Sequence, residues 1–181
     1  MITTTLNRIA RTGCLNKSSW ARLLESLGKT TADDEPLSFA RIVEVDGLGI
    51  AIWCCEAEPQ YAREWRLFFV WCCRRVEHSL TDQRSRDAIN VAERYANGQA
   101  TDDELVKACA AAKEASADYR GPAAWMAEAV ASKMEHGAAT AVLWARKAAG
   151  ICAWSLAAET PELAAQTAEF LRIVTETEAR T

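Results

Sequence analysis

A run of apolar residues at helical spacing, beginning after Pro59, constrains the fold more than any other feature of the sequence. Apolar side chains recur at intervals of three and four residues over more than four turns; they are Tyr61, Trp65, Phe68, Phe69, Cys72, Cys73 and Val76. This spacing puts them on one face of an α-helix, whereas a half-buried strand alternates at every second residue. The pattern therefore predicts a core helix, with Arg63, Arg66 and Arg74 on its opposite face.

Start and stop signals predict further helices along the chain. A Ser, Thr or Asp residue precedes several apolar stripes, and its side-chain oxygen is suited to accept hydrogen bonds from the free N–H groups of a first helical turn. The candidate cap residues are Ser18 or Ser19, Thr81 or Asp82, and Thr101. The stretch from Thr101 to Glu104 has the form of a capping box. Gly28 and Gly98 stand where helices commonly end.

The segment Leu48 to Cys55 is compatible with a buried strand or a buried helix, because a short apolar run does not distinguish the two. We interpret it as a helix, since the neighbouring segments offer no strand partner. Before it, the polar stretch Lys29 to Pro36 predicts a loop, and Phe39 to Gly47 predicts one or two helical turns. The last helix is predicted to begin at Pro161, with an inner stripe of Leu163, Phe170, Leu171 and Val174.

Together these elements predict an all-α protein, a compact multi-helix bundle of about eight helices with an alanine-rich C-terminal half. Half of the residues are hydrophobic and a quarter are charged, which is typical of a globular chain. A length of 181 residues falls within the usual size of one domain. We therefore expect a single helical domain over residues 1–181, with short helices in residues 1–58 and the main bundle in residues 59–181.

The net charge, the length of the most apolar run and the spacing of the cysteines weigh against several classes of partner and location. The net charge of −4 weighs against a phosphate-binding surface, so nucleic acid is not an expected partner. The most apolar run, Leu67 to Cys73, is far shorter than the ~20 residues of a membrane-spanning helix, and residues 1–11 show no secretion signal. The seven cysteines contain no Cys-x-x-Cys spacing. We therefore expect a cytoplasmic protein, without a membrane partner, whose cysteines are free.

The sequence contains no motif that predicts a catalytic, metal or cofactor site. Gly28-Lys29-Thr30 resembles the end of a phosphate-binding loop, but the earlier glycine of that motif is missing. The adjacent pairs Cys54-Cys55 and Cys72-Cys73 are interpreted as core packing, because neighbouring residues on a helix point about 100° apart and do not converge on one ion. His78 and His136 lie beside glutamates near helix ends, where the helix dipole favours histidine.

Polar residues outside the predicted core are the candidates for binding another protein. The first candidate surface is a loop that contains Lys29, Asp33, Asp34 and Glu35. Binding residues are common on loops, and charged residues there increase the rate at which a partner protein is encountered. A solvated loop without a partner is the alternative. The second candidate is Arg84 with Arg86 in a first helical turn, where a salt bridge is the alternative. The third is a face with Leu143, Lys147 and Trp154, which is either covered by another helix or presented to a partner.

Two stretches resemble an uncharacterised family of small proteins from tailed phages and prophages. The first is Leu27 to Leu37, Leu-Gly-Lys-Thr-Thr-Ala-Asp-Asp-Glu-Pro-Leu, and the second is Asp82 to Leu105; together the similarity spans Leu6 to Ala117. The second stretch, followed by alanine-rich helices, is also similar to a group of proposed immunity proteins from bacterial toxin systems. In place of a monotonous alanine repeat, the C-terminal part carries distinct tryptophan-bearing helices. The resemblance supplies no catalytic residues.

The resemblance implies a mobile-element accessory protein that binds and blocks another protein. Our leading hypothesis is a non-enzymatic module that binds a host or rival protein, as a phage-encoded inhibitor of a host defence complex in the manner of anti-CRISPR proteins. One alternative is an immunity protein that neutralises a toxin by binding. Another is a small enzyme that uses a cysteine or carboxylate cluster assembled by folding. A phage-encoded inhibitor would act in the host cell cytoplasm, and the sequence leaves open whether the chain forms homo-oligomers.

Overall fold

A computed structural model describes residues 1–118 and 161–177, and these residues are mostly helical, which confirms the predicted fold class. The described helices are α1 (Leu6–Thr12), α2 (Lys17–Ser26), α3 (Phe39–Cys54), α4 (Ala62–Val76), α5 (Gln83–Ala96), α6 (Asp102–Asp118) and α7 (Pro161–Glu176). Short 3-10 turns cover Cys55–Ala57, Pro59–Tyr61 and Glu77–Ser79. Strands β1 (Thr3–Thr4) and β2 (Leu37–Ser38) pair antiparallel, with Thr3 opposite Ser38 and Thr4 opposite Leu37.

The chain divides into two compact units, Met1–Gln60 with Pro161–Thr181, and Tyr61–Thr160. Helix α7 packs against α3 in the first unit, whereas the sequence placed the last helix in the main bundle after residue 59. The inner face of α7 also differs from the predicted stripe, because Phe170 and Val174 are buried but Leu163 is 43% exposed. Contact with α3 decides which side of α7 faces inward, and the helical period alone does not reveal it.

Apolar side chains from α1, α2, α3 and α7 form the core of the first unit. Those that are fully buried include Leu6, Ile9, Leu23, Phe39, Ile42 and Phe170. The Phe39 and Phe170 rings meet edge to face, with their centroids 6.3 Å apart. The segment before α1 joins the unit through its backbone, as the Ile2 N–H donates to the Val174 carbonyl oxygen at 2.7 Å. The sequence does not predict the small sheet, because strands of two residues show no period.

Helix α3 is interrupted at Gly47, where φ is 84° and ψ is 169°. The predicted helical turns that stop at Gly47 are therefore confirmed. The chain is helical again up to Cys54, which confirms the helical interpretation of the ambiguous segment that begins at Leu48. The backbone conformation of Gly47 is one that essentially only glycine adopts.

Replacing Gly47 with alanine is expected to lower the free energy of unfolding by about 1–3 kcal/mol, because alanine is strained in this conformation. An added Cβ meets no heavy atom within 4 Å at either Gly47 or Gly49, so crowding contributes nothing. Gly49 is exposed and helical, and Gly49→Ala is the matched control, expected to raise the free energy of unfolding by about 0.5–1 kcal/mol. Urea unfolding followed by circular dichroism measures both variants. Changes of the same sign would contradict this interpretation.

The second unit packs α5 against both α4 and α6. Its buried side chains include Trp65 and Phe68, which were predicted for the inner face of α4, together with Ala88, Ile89, Ala92 and Leu105. The prediction for Arg66 is wrong. This residue was expected on the outer face of α4, but it is only 6% exposed. Its guanidinium lies over the Tyr95 ring, 5.1 Å from the centroid, and this cation–π contact offsets part of the cost of burying it. Burial lowers the pKa of Arg66.

The capping box predicted for α6 is confirmed by two reciprocal hydrogen bonds. The Glu104 N–H donates to Thr101 Oγ1 at 3.2 Å, and the Thr101 N–H donates to Glu104 Oε2 at 2.8 Å. These bonds satisfy two backbone donors that a helix start leaves free. At α2 the predicted cap is wrong, because Asn16 caps this helix in place of Ser18 or Ser19. No helix within residues 1–118 and 161–177 combines the length and apolarity needed to span a membrane.

Candidate functional site

The loop from Lys29 to Glu35 leaves α2 through a defined helix end. Gly28 has a left-handed φ of 69°, its N–H donates to the Glu25 carbonyl at 2.9 Å, and the Lys29 N–H donates to the Leu24 carbonyl at 2.9 Å. This pair of bonds is the Schellman arrangement, which closes the last helical turn and sets the direction of the departing chain. The helix end therefore fixes the position of Lys29 at the start of the loop.

A single ammonium group holds the loop together. Lys29 Nζ forms ion pairs with the Asp33 carboxylate and with Glu35 Oε2, the latter at 2.7 Å. Asp33 Oδ1 also accepts the Glu35 N–H at 3.2 Å, which forms a tight turn within the loop. The hydrogen bond from Lys29 keeps the pKa of the Asp33 carboxyl below its usual value, and the same bond raises the pKa of Lys29. Both groups therefore remain charged near neutral pH.

The loop is attached to α1 and presents net negative charge to solvent. The Asn7 N–H donates to the Asp33 carbonyl oxygen at 3.0 Å, and Thr5 Oγ1 donates to Asp34 Oδ1 at 3.5 Å. Asp34 and Glu35 are exposed, with 76% of the Glu35 side chain accessible. The loop carries three carboxylates and one ammonium group, so it keeps an excess of negative charge. The structure therefore brings the four predicted loop residues together as one ordered acidic surface.

The predicted second surface, Arg84 with Arg86, makes contacts within the second unit. Asp82 caps α5 by accepting the Arg84 N–H at 2.8 Å, and its carboxylate also pairs with Arg84 Nη2 at 2.7 Å. Arg84 Nη1 lies 3.9 Å from Glu114 Oε2, and Arg86 donates to the Leu80 carbonyl. The salt-bridge alternative is thus observed for Arg84. The third predicted surface, with Leu143, Lys147 and Trp154, lies outside the described residues.

Two cysteines that the sequence analysis did not associate lie together in the first unit. Cys14 follows Gly13, the left-handed residue that ends α1, and Cys54 is the last residue of α3. The side chains of the two residues interact, and each shifts the pKa of the other. The contact arises because α1 packs against the turn that begins at Cys55. A cysteine directly after Gly13 was the available sequence signal, but its partner is too distant along the chain to infer.

The chemical state of the thiol pair is asymmetric. The hydrogen bond from Cys54 lowers the pKa of Cys14, although partial burial of Cys14 opposes the shift. The same hydrogen bond and complete burial raise the pKa of Cys54 well above its usual value. Cys55 is also buried, and its thiol donates to the Ala51 carbonyl at 3.5 Å. Within the described residues, no group of three or more His, Cys, Asp or Glu side chains is arranged to hold a metal ion.

Comparison with other proteins adds no family to this description. No protein family model, no curated protein sequence and no solved structure matches the chain. The acidic loop and the pair of cysteines are therefore the features of the described residues that bear on function.

Proposed function

We propose that the chain is a non-enzymatic protein-binding module that contacts a basic partner surface through the loop from Lys29 to Glu35. The observation that carries the proposal is the clamp formed by Lys29, whose ammonium group holds Asp33 and Glu35 in place while Asp34 and Glu35 stay exposed. A loop that is already ordered loses less conformational entropy on binding than a mobile one. The clamp therefore favours recognition as the role of this loop.

The charge of the loop indicates the chemistry of its partner. Its excess of carboxylates attracts a cationic surface, increases the rate of encounter and disfavours acidic partners. Proteins that handle nucleic acids carry such surfaces, because phosphate binding depends on Lys and Arg. A nucleic-acid-handling component of a host defence complex fits this requirement. The phage resemblance of Leu27 to Leu37 is the reason to propose such an inhibitor of the anti-CRISPR kind, acting in the host cytoplasm.

Reversing two exposed charges in the loop is expected to weaken partner binding by at least about tenfold. The variant is Asp34→Lys with Glu35→Lys, which spares Asp33 because its backbone contacts shape the loop. The matched control is Glu44→Lys with Glu176→Lys, which changes the net charge equally at two exposed glutamates of the first unit. The partner is captured from bacterial lysate with the whole protein, identified by mass spectrometry and then titrated by calorimetry. Equal loss in both variants would contradict a specific role for the loop.

A further variant, measured in the same titration, distinguishes the effect of loop order on partner binding from the effect of loop charge. Lys29→Met makes the loop more negative but releases Asp33 and Glu35 from the clamp. If the order of the loop matters for binding, Lys29→Met should bind the partner more weakly than the wild type does. If only the charge of the loop matters, the variant should bind more tightly. The identity of the captured protein also matters. A toxin would favour the immunity-protein alternative, and a component of a defence complex would favour the inhibitor.

A further inference from the structure

The turn that ends α5 contains Asn97 followed by Gly98, the pair of residues in which asparagine loses ammonia most readily. In this reaction the backbone nitrogen of the next residue attacks the side-chain amide carbon, and glycine has no Cβ to hinder the attack. Asn97 and Gly98 are both exposed. The other asparagines of the chain, Asn7, Asn16 and Asn90, are followed by arginine, lysine and valine. Asn97 is therefore the asparagine with the greatest intrinsic reactivity.

The backbone of this turn holds the two reacting atoms apart. Loss of ammonia closes a succinimide ring in which the Gly98 nitrogen is bonded to Cγ of Asn97. The ψ angle of Asn97 is 7°, so the Gly98 nitrogen nearly eclipses the backbone nitrogen of Asn97 and is turned away from Cβ, which carries Cγ. The ring can therefore close only after rotation about the Asn97 Cα–C bond.

Hydrogen bonds at the helix end oppose that rotation. The Gly98 N–H donates to the Tyr95 carbonyl at 3.0 Å, and the Gln99 N–H donates to the Arg94 carbonyl at 2.8 Å. With Gly98 at a left-handed φ of 71°, these two bonds form a Schellman cap. The attacking nitrogen is thus a hydrogen-bond donor of the cap, and rotation of the Asn97 ψ angle would break both bonds. The reaction therefore requires local opening of the cap.

A side chain from α4 contacts the amide group that reacts. Arg63 Nη2 donates to Asn97 Oδ1 at 3.0 Å, and both residues belong to the second unit. This bond restrains the side-chain amide, which must turn towards the Gly98 nitrogen before the ring can close. Donation to Oδ1 also withdraws electrons from Cγ, and this effect alone would favour attack. Removal of Arg63 therefore distinguishes restraint from activation.

We propose that Asn97 is a site of spontaneous deamidation, and that the Schellman cap and Arg63 together slow the reaction in the folded protein. When the cap opens, the Gly98 nitrogen loses its proton to water and attacks Cγ of Asn97, and the amide nitrogen leaves as ammonia. Water then opens the succinimide at either carbonyl and yields aspartate or isoaspartate. Either product places a carboxylate at the position that Arg63 contacts. Isoaspartate also lengthens the backbone by one carbon atom, which disrupts the hydrogen bonds of the cap.

The experiment incubates the whole protein in mildly alkaline buffer, folded or denatured in guanidinium chloride, and follows each asparagine by peptide mapping. In the folded protein Asn97 should react more slowly than in the denatured protein by at least about tenfold, because the cap must open first. It should still react faster than Asn7, Asn16 and Asn90. These measurements use the wild-type protein and do not depend on the folding of a variant. Equal rates at Asn97 in the two states, or a rate in the folded protein no higher than at the other asparagines, would overturn the proposal.

Variants of Arg63 test its part in the restraint. Arg63→Met is expected to raise the rate at Asn97 in the folded protein by about two- to tenfold, the range for loss of one hydrogen bond. Arg63→Lys keeps a donor and should react at close to the wild-type rate. Arg41→Met is the control, because the Arg41 side chain is 48% exposed against 46% for Arg63 but lies in the first unit.

The effect of Arg63→Met should vanish in guanidinium chloride, because the restraint exists only in the folded protein. Circular dichroism confirms that each variant is folded in buffer. A lower rate in folded Arg63→Met would show that the guanidinium activates Cγ, and an unchanged rate would show that it does not restrain Asn97. Either result would contradict the role assigned to Arg63.

Discussion

Replacing Phe170 with alanine is expected to destabilise the first unit by about 3–5 kcal/mol. Phe170 is fully buried, and its ring packs edge to face against the Phe39 ring of α3. The substitution removes apolar burial and leaves a cavity where α7 meets α3. Since whole domains are stable by only about 5–15 kcal/mol, a loss of this size is a large fraction of the total.

The control for Phe170→Ala lies on the same helix. Leu163 is 43% exposed, so Leu163→Ala should change the free energy of unfolding by no more than about 0.5 kcal/mol. Urea unfolding followed by circular dichroism measures both. A double-mutant cycle with Phe39→Ala should give a coupling of about 0.5–1.5 kcal/mol for the aromatic pair. If Phe170→Ala costs no more than Leu163→Ala, the contact between α3 and α7 is refuted.

The helices were predictable where the determining interactions are local. The capping box of Thr101 and Glu104 joins residues three positions apart, and the apolar stripe of α4 reflects the helical period. The glycine at position 47 indicates from the sequence where α3 is interrupted, because other residues do not readily adopt its backbone conformation. Such features need no knowledge of the rest of the fold, so the amino-acid order is sufficient to locate them.

The predictions failed where tertiary contacts decide the outcome. Arg66 has the charge of a surface residue, but the Tyr95 ring accommodates its guanidinium inside the second unit. Leu163 has the character of a core residue, but the contact of α7 with α3 turns it towards solvent. In both cases, contact with another helix outweighs the burial or exposure that the residue type alone would predict. A periodic pattern cannot show that partner.

The candidate sites show the same difference: the sequence indicates interactions between residues close along the chain, but it does not indicate tertiary contacts. The acidic loop was recognisable because Lys29, Asp33 and Glu35 are close in sequence, although their spacing does not show that Lys29 pairs with both carboxylates. Arg84 was proposed for a partner or a salt bridge, and the structure pairs it with Asp82. The interaction of Cys14 with Cys54 depends on how α1 packs, so the order of residues along the chain does not indicate it.

Replacing Trp65 with alanine is expected to destabilise the second unit by about 3–5 kcal/mol. Trp65 is 2% exposed on α4, and its ring meets the Tyr61 ring edge to face, with centroids 6.1 Å apart. Tryptophan contributes a large apolar area, while each of the buried alanines of α5 contributes little. Within the described residues of this unit, the buried aromatic side chains therefore contribute more apolar area than the buried alanines.

Hydrogen exchange resolved by peptide measures the effect of Trp65→Ala where it is expected. Amides of α4, α5 and α6 should exchange faster by roughly two to four orders of magnitude if they exchange through opening of this unit. Val106→Ala is the control, because Val106 is 49% exposed on α6 and alanine is the better helix former. It should leave exchange nearly unchanged. If Trp65→Ala exchanges no faster than this control, Trp65 does not hold α4 in the core, and the helix assigned from the period of its apolar residues would need a different inner face.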